Sequence, residues 1–132
     1  MGTRSLTILY DNEHKEIAVL YRQYDGYPDG HGKELAEYLA GAKYNDYHCL
    51  AANIVRHFKD TAADGEKGGY AYNIYLYPAG TRDMGEDYIY KVYPGIGGIE
   101  MEIECPYQKR TLWKGKPANF DAEYLAKEKG EL

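Results

Sequence analysis

Cysteine, serine, phenylalanine and tryptophan are all scarce in this chain, and each scarcity removes an option. The two cysteines, Cys49 and Cys105, stand far apart and form no Cys-x-x-Cys pair. This argues against a disulfide framework or a structural zinc site and for two reduced thiols. Ser5 is the only serine and lacks a Gly-x-Ser-x-Gly elbow, while Cys49 falls opposite the apolar stripe of its predicted helix with no base placed to activate it. No catalytic nucleophile is expected. Nor does any apolar run approach the ~20 residues that span a bilayer. The opening MGTRSLTILYDNEHK carries neither a signal-peptide pattern nor a myristoylation site, since Leu6 stands where Ser or Thr is required. A cytoplasmic protein without membrane contact is the expectation. Basic residues are outnumbered as well, 16 against 21 acids for a net charge of −5. Being dispersed, they offer no stripe through which counterion release could drive direct nucleic-acid binding. His14, His31, His48 and His57 lack metal-ligand spacing. Gly95-Ile96-Gly97-Gly98 joins two predicted strands without the Lys-Ser or Lys-Thr of a phosphate loop, so it reads as a turn. Neither metal nor cofactor is expected.

Tyrosine is what the chain has in excess: 16, against two phenylalanines and one tryptophan. A tyrosine packs as an aromatic but brings a hydroxyl that needs water or a partner, which favours interfaces and wet pockets over dry cores. At 132 residues the chain fits a single domain over 1–132. Residues 4–10 and 16–24 alternate with period two around the polar run 11–15 and predict an antiparallel hairpin. Gly32, Leu35, Ala36 and Leu39 follow helical spacing up to Gly41, with Asp29 placed as N-cap. A second helix is predicted over 47–59, on the stripe Tyr47, Leu50, Ala51, Ile54, Val55 and Phe58. Beyond a charged, glycine-rich loop over 62–69, strands are predicted at 70–77, 88–93 and 99–105. In the last of these, Glu100, Glu102 and Glu104 form a solvated row. A short strand near 111–114 and a terminal helix capped by Asn119 complete the order ββααβββ plus a short C-terminal helix. This segregation predicts an α+β fold, an antiparallel sheet of five to six strands with two helices packed on one face. An aromatic edge strand at 70–77 invites pairing with a second copy, so a homo-oligomer is expected.

Two stretches could carry function. In YRQYDGYPDGHG, residues 21–32, turn chemistry accounts for Asp25-Gly26, Pro28 and Asp29. It leaves Arg22, Tyr24, Tyr27 and His31 gathered where a strand meets a helix N-terminus, a place that favours anions. Residues 77–88, YPAGTRDMGEDY, form a loop longer than a hairpin needs and offer Arg82, Asp83 and Tyr88. Arg82 reads either as an anion contact or as one half of a surface ion pair with Asp83 or Glu86. The candidate ligand-binding set is therefore Arg22, Tyr24, Asp25, Tyr27, His31, Arg82, Asp83 and Tyr88. A His31–Asp25 or His31–Asp29 acid/base pair is the enzymatic alternative.

The opening Met-Gly-Thr-Arg-Ser, the stretch 21–32, Cys49-Leu50-Ala51-Ala52 with His57-Phe58-Lys59, and residues 76–90 together resemble a group of small proteins of phages, prophages and gut bacteria. The resemblance runs to about Tyr90. Where that group often carries His-Trp before Asp-Gly-Tyr-Pro, this chain has Gln23-Tyr24. The resemblance implies a setting among mobile genetic elements and, by analogy, a counter-defence role exercised by binding. The leading expectation is sequestration of a nucleotide-derived immune signal, with tyrosines stacking on bases and arginines holding phosphates. The alternatives are inhibition of a bacterial defence protein, such as a CRISPR nuclease, through tyrosine hot spots, and a small His-Asp hydrolase.

Overall fold

The computed structural model describes residues 2–61, 65–66, 70–71 and 73–128. Strand β1 (Ser5–Tyr10) and strand β2 (Glu16–Arg22) form the expected hairpin. Its turn is held by Asp11, whose Oδ1 accepts the amides of Glu13 and Lys15 at 2.8 and 2.9 Å. A π-helical turn at Pro28–Gly32 runs directly into α1 (Lys33–Ala40), and α2 (Tyr47–Thr61) follows. Asp29 lies in the first turn and not at the cap, because Pro28 already starts the helix one residue earlier.

The predicted strand over 70–77 is two pieces. Among the described residues Tyr70–Ala71 (β4) pairs with Gly65–Glu66 (β3) alone, whereas Ile74–Pro78 (β5) joins the main sheet. Apart from β3, the predicted loop 62–69 lies outside the described residues. Strands β6 (Tyr88–Gly95), β7 (Gly98–Cys105) and β8 (Arg110–Gly115) complete six strands in the order β5-β2-β1-β6-β7-β8. The fold is α+β as expected, but the sheet is mixed. Four pairings are antiparallel and the central one, β1 with β6, is parallel.

That parallel pair explains the long loop at 79–87. β5 and β6 are not hairpin partners: β5 is an edge strand, and the chain must cross β2 and β1 to reach β6. In crossing, it covers the second sheet face. Met84 packs on a cluster of Leu6, Ile8, Val19, Tyr21 and Ile89, while the Asp87 amide donates to the Arg4 carbonyl at 2.9 Å. β1, read from its alternation as a half-buried strand, is thus buried on both faces.

On the first face α1, α2 and the C-terminal segment bury Leu35, Leu39, Leu50, Ile54, Phe58 and Phe120 against Leu9, Leu20, Tyr90, Val92, Met101 and Ile103. Each such side chain contributes roughly 1.5–3 kcal/mol of burial. The C-terminal segment is irregular: a 3-10 turn at Pro117–Asn119, a π-helical turn at Asp121–Leu125 and α3 at Ala126–Glu128. Asn119 lies inside the first turn and does not cap a helix. Trp113 anchors the segment, its ring 5.2 Å from Phe120 and its Nε1 donating to Glu123 at 3.1 Å. The β7 glutamates are not a bare solvated row. Glu104 pairs with Lys91 at 2.7 Å, and Glu102 accepts the Tyr93 hydroxyl at 3.1 Å.

Candidate functional site

The stretch 21–32 begins on β2, where Arg22 stands in register with Ile74 of β5 and with Ser5 of β1, which itself faces Tyr88 of β6. Past Arg22 the chain turns sharply. Asp25 adopts φ 62°, a conformation aspartate tolerates better than most residues. The Gly26 amide donates to the Thr3 carbonyl at 2.9 Å, and the His31 amide to the Asp25 carbonyl at 3.0 Å. Gly26 is required by packing, since a Cβ there would lie 2.9 Å from backbone atoms of Arg4 and Ser5. This turn swings His31 back under the helices.

Arg22 and His31 are both interior, 2 % and 0 % exposed. The guanidinium donates from Nε to the Tyr24 carbonyl at 2.7 Å and from Nη1 to His31 Nδ1 at 3.3 Å and Glu34 Oε2 at 3.2 Å. It also lies 5.8 Å from the centre of the Phe58 ring. Arginine is donor-only, so His31 Nδ1 must accept, and the proton resides on Nε2, 2.6 Å from Thr7 Oγ1. Burial, the Arg22 charge and His57 hold His31 well below the usual imidazole range, so it is neutral. Phe58 stacks on its ring at 4.5 Å and Tyr90 tilts against it at 4.8 Å. The Tyr90 hydroxyl, pushed up by burial, donates to the Gly26 carbonyl at 2.7 Å. The acid/base pairing of His31 with Asp25 or Asp29 does not form, because the two ring nitrogens face Arg22 and Thr7.

The other predicted residues divide. Tyr24 and Tyr27 are 43 % and 41 % exposed, and Asp25 and Tyr88 are half-buried at the same end of the sheet. Arg82 is elsewhere. Its guanidinium makes a two-pronged contact with Glu16, at 2.8 and 3.1 Å, which lowers the Glu16 carboxyl and raises Arg82. Asp83 sits beside it, exposed, at φ 59°. Glu16 and Arg22 occupy opposite ends of β2, about 20 Å apart at 3.3 Å per residue. The bend and the crossover loop therefore do not place their arginines in one hollow. None of the eight predicted residues lines any of five hollows that the described residues form.

Glu34, which takes the Arg22 charge, escapes sequence reasoning, whereas Tyr75 and Leu76 of β5 lie on the expected aromatic edge 70–77 but outside the eight candidate residues. Glu34 lies three residues after His31 at a helix start, a spacing that places the two on one side of the first turns. Tyr75 and Leu76 are 45 % and 59 % exposed. With Tyr24 and Tyr27 they make four of the six large hydrophobic side chains exposed among the described residues, all on β5 or in the bend after its partner β2. Tyr21 links β2 to β5, its ring 5.9 Å from Tyr75 and 6.2 Å from Tyr77. On its outer side β5 has no strand neighbour among the described residues. Compared with protein-family models, curated proteins and solved structures, the chain matches none.

Proposed function

We propose that the protein acts by binding another protein, and that its partner is a bacterial defence protein which adds an extended segment along the outer edge of β5, at Leu76. The observation that carries this reading is the coincidence of exposed Tyr75, Leu76, Tyr24 and Tyr27 with a strand that has no outer strand neighbour among the described residues. The outward edge of that strand is engaged at its two ends, where Lys59 Nζ donates to the Ile74 carbonyl at 3.1 Å and Thr81 Oγ1 to the Pro78 carbonyl at 2.7 Å. An open edge supplies main-chain hydrogen bonds to an incoming strand, and alternate side chains supply selectivity. Tyrosine is also among the residues that dominate interface energetics. The counter-defence setting rests on the resemblance to phage and prophage proteins. Capture of a nucleotide at the bend has less support, because Arg22 and Arg82 are committed to Glu34 and Glu16.

The test is a phage-plating screen in bacteria carrying single defence systems, followed by purification of the tagged protein with components of whichever system it disables. Wild type should restore plating and purify as a stoichiometric complex. Tyr24→Asp with Tyr75→Asp should lose both while keeping its circular dichroism spectrum, each lost tyrosine weakening binding by about 2 kcal/mol, roughly thirtyfold. Restored plating by the double variant contradicts the reading. Light scattering separates the competing occupant: a dimer of this chain that the same substitutions dissociate, without any plating effect, would assign the edge to a second copy.

A further inference from the structure

A second site lies beyond the other end of β6. Between the α1–α2 connection, the β6–β7 turn and the segment after β8 is a partly enclosed hollow of about 410 Å³, within the range of about 300–1,000 Å³ usual for small-molecule sites. Leu39, Ile99 and Tyr44 line it, and Lys43 and Lys116 line it from different elements; the Tyr44 hydroxyl accepts from Asn53 Nδ2 of α2 at 3.1 Å. Two features set it apart from the general surface. In a chain with 21 acids against 16 bases, no carboxylate among the described residues lines it. Among the described residues, neither lysine has a carboxylate within salt-bridge distance. The nearest acid in sequence, Asp46, is engaged with the His48 amide at 2.9 Å and the His48 ring at 3.6 Å.

The turn is shaped to leave the hollow open. A Cβ on Gly97 would lie 2.7 Å from Lys116 Nζ, so the glycine lets the ammonium lie close over the backbone. Gly98 adopts φ 120° with nothing within 4 Å of where a side chain would begin. From this geometry we infer a binding site for a small phosphate monoester with a flat apolar body, of mononucleotide size. Two lysines on one lining supply the charge that a dianion needs, and the aliphatic and tyrosine lining suits the body. The inference is independent of the β5 edge, which lies on other elements.

Amide-resolved NMR titration of the full chain tests it, with AMP as probe and adenosine and inorganic phosphate as its two halves. AMP should shift the Tyr44, Gly97, Gly98 and Ala118 amides saturably, with submillimolar Kd. Each half alone should bind at least roughly tenfold more weakly. Lys43→Gln with Lys116→Gln should weaken AMP roughly tenfold or more and leave adenosine unchanged, and both positions are exposed, so the fold is retained. No saturable shift at those amides with millimolar AMP overturns the inference. So does an affinity unchanged in the double variant.

Discussion

Arg22 carries its charge into a space where, among the described residues, Glu34, the Tyr24 carbonyl and His31 accept its hydrogen bonds, so its energetics are those of a buried cation with a half-exposed counterion. Removing the counterion strands the charge. Glu34→Gln should lower unfolding free energy by about 1–3 kcal/mol, and Arg22→Ala, which orphans three acceptors, by about 3–5 kcal/mol, both read from urea denaturation. Lysine should not rescue, because a single ammonium lacks the fork that reaches carbonyl, imidazole and carboxylate together. His31 gives a pH signature. The folded protein holds it neutral, while the unfolded chain takes up a proton near its ordinary 6.5. The unfolded state thus binds more protons below that pH. Stability should be fully present above pH 6.5 and fall, by up to about 1.4 kcal/mol per pH unit, as pH drops toward the folded value. His31→Gln should abolish that slope, leaving the lower window below about 4.5, where the depressed Glu16 and Asp11 carboxyls titrate. From sequence, Arg22 and His31 look like ligand contacts because both are polar residues beside a helix start. Their inward direction depends on the Asp25 conformation and on Phe58 and Tyr90, which residue spacing along the chain does not report.

At the scale of elements, periodicity made the hairpin, both main helices and the β7 alternation legible, since each is a local pattern. The parallel β1–β6 pairing was not, because it joins segments some 80 residues apart and leaves no local trace except the length of the crossover loop. By itself that length reads as a binding loop; its use is to span two strands and cover Leu6, Ile8 and Val19. The glycines test how turns are built. At Gly98, with φ 120° and open space, alanine meets no clash but a disfavoured backbone, so Gly98→Ala should cost about 1–3 kcal/mol. Gly41, at φ −98° and equally open, should accept alanine with a gain of about 0.4–1 kcal/mol from the unfolded chain. Paired denaturation curves of the two variants distinguish backbone strain from packing.

For the whole molecule, the sheet separates two surfaces. One end and the β5 edge display Tyr24, Tyr27, Tyr75 and Leu76 over a rigid polar interior; the other end holds the lysine-lined hollow. The tyrosine excess predicts an interface from composition alone; which tyrosines are exposed follows from the strand order, with β5 outermost and Tyr90 central. The measurement that bears most directly on the binding account is hydrogen exchange of this protein, free and in complex with the defence component that the plating screen identifies. Strand addition predicts slowed exchange at the Ile74 and Leu76 amides, which face away from β2, on complex formation, with the Gly97–Gly98 turn unchanged. Protection confined to other segments, with the β5 amides exchanging as fast as in the free protein, would contradict it.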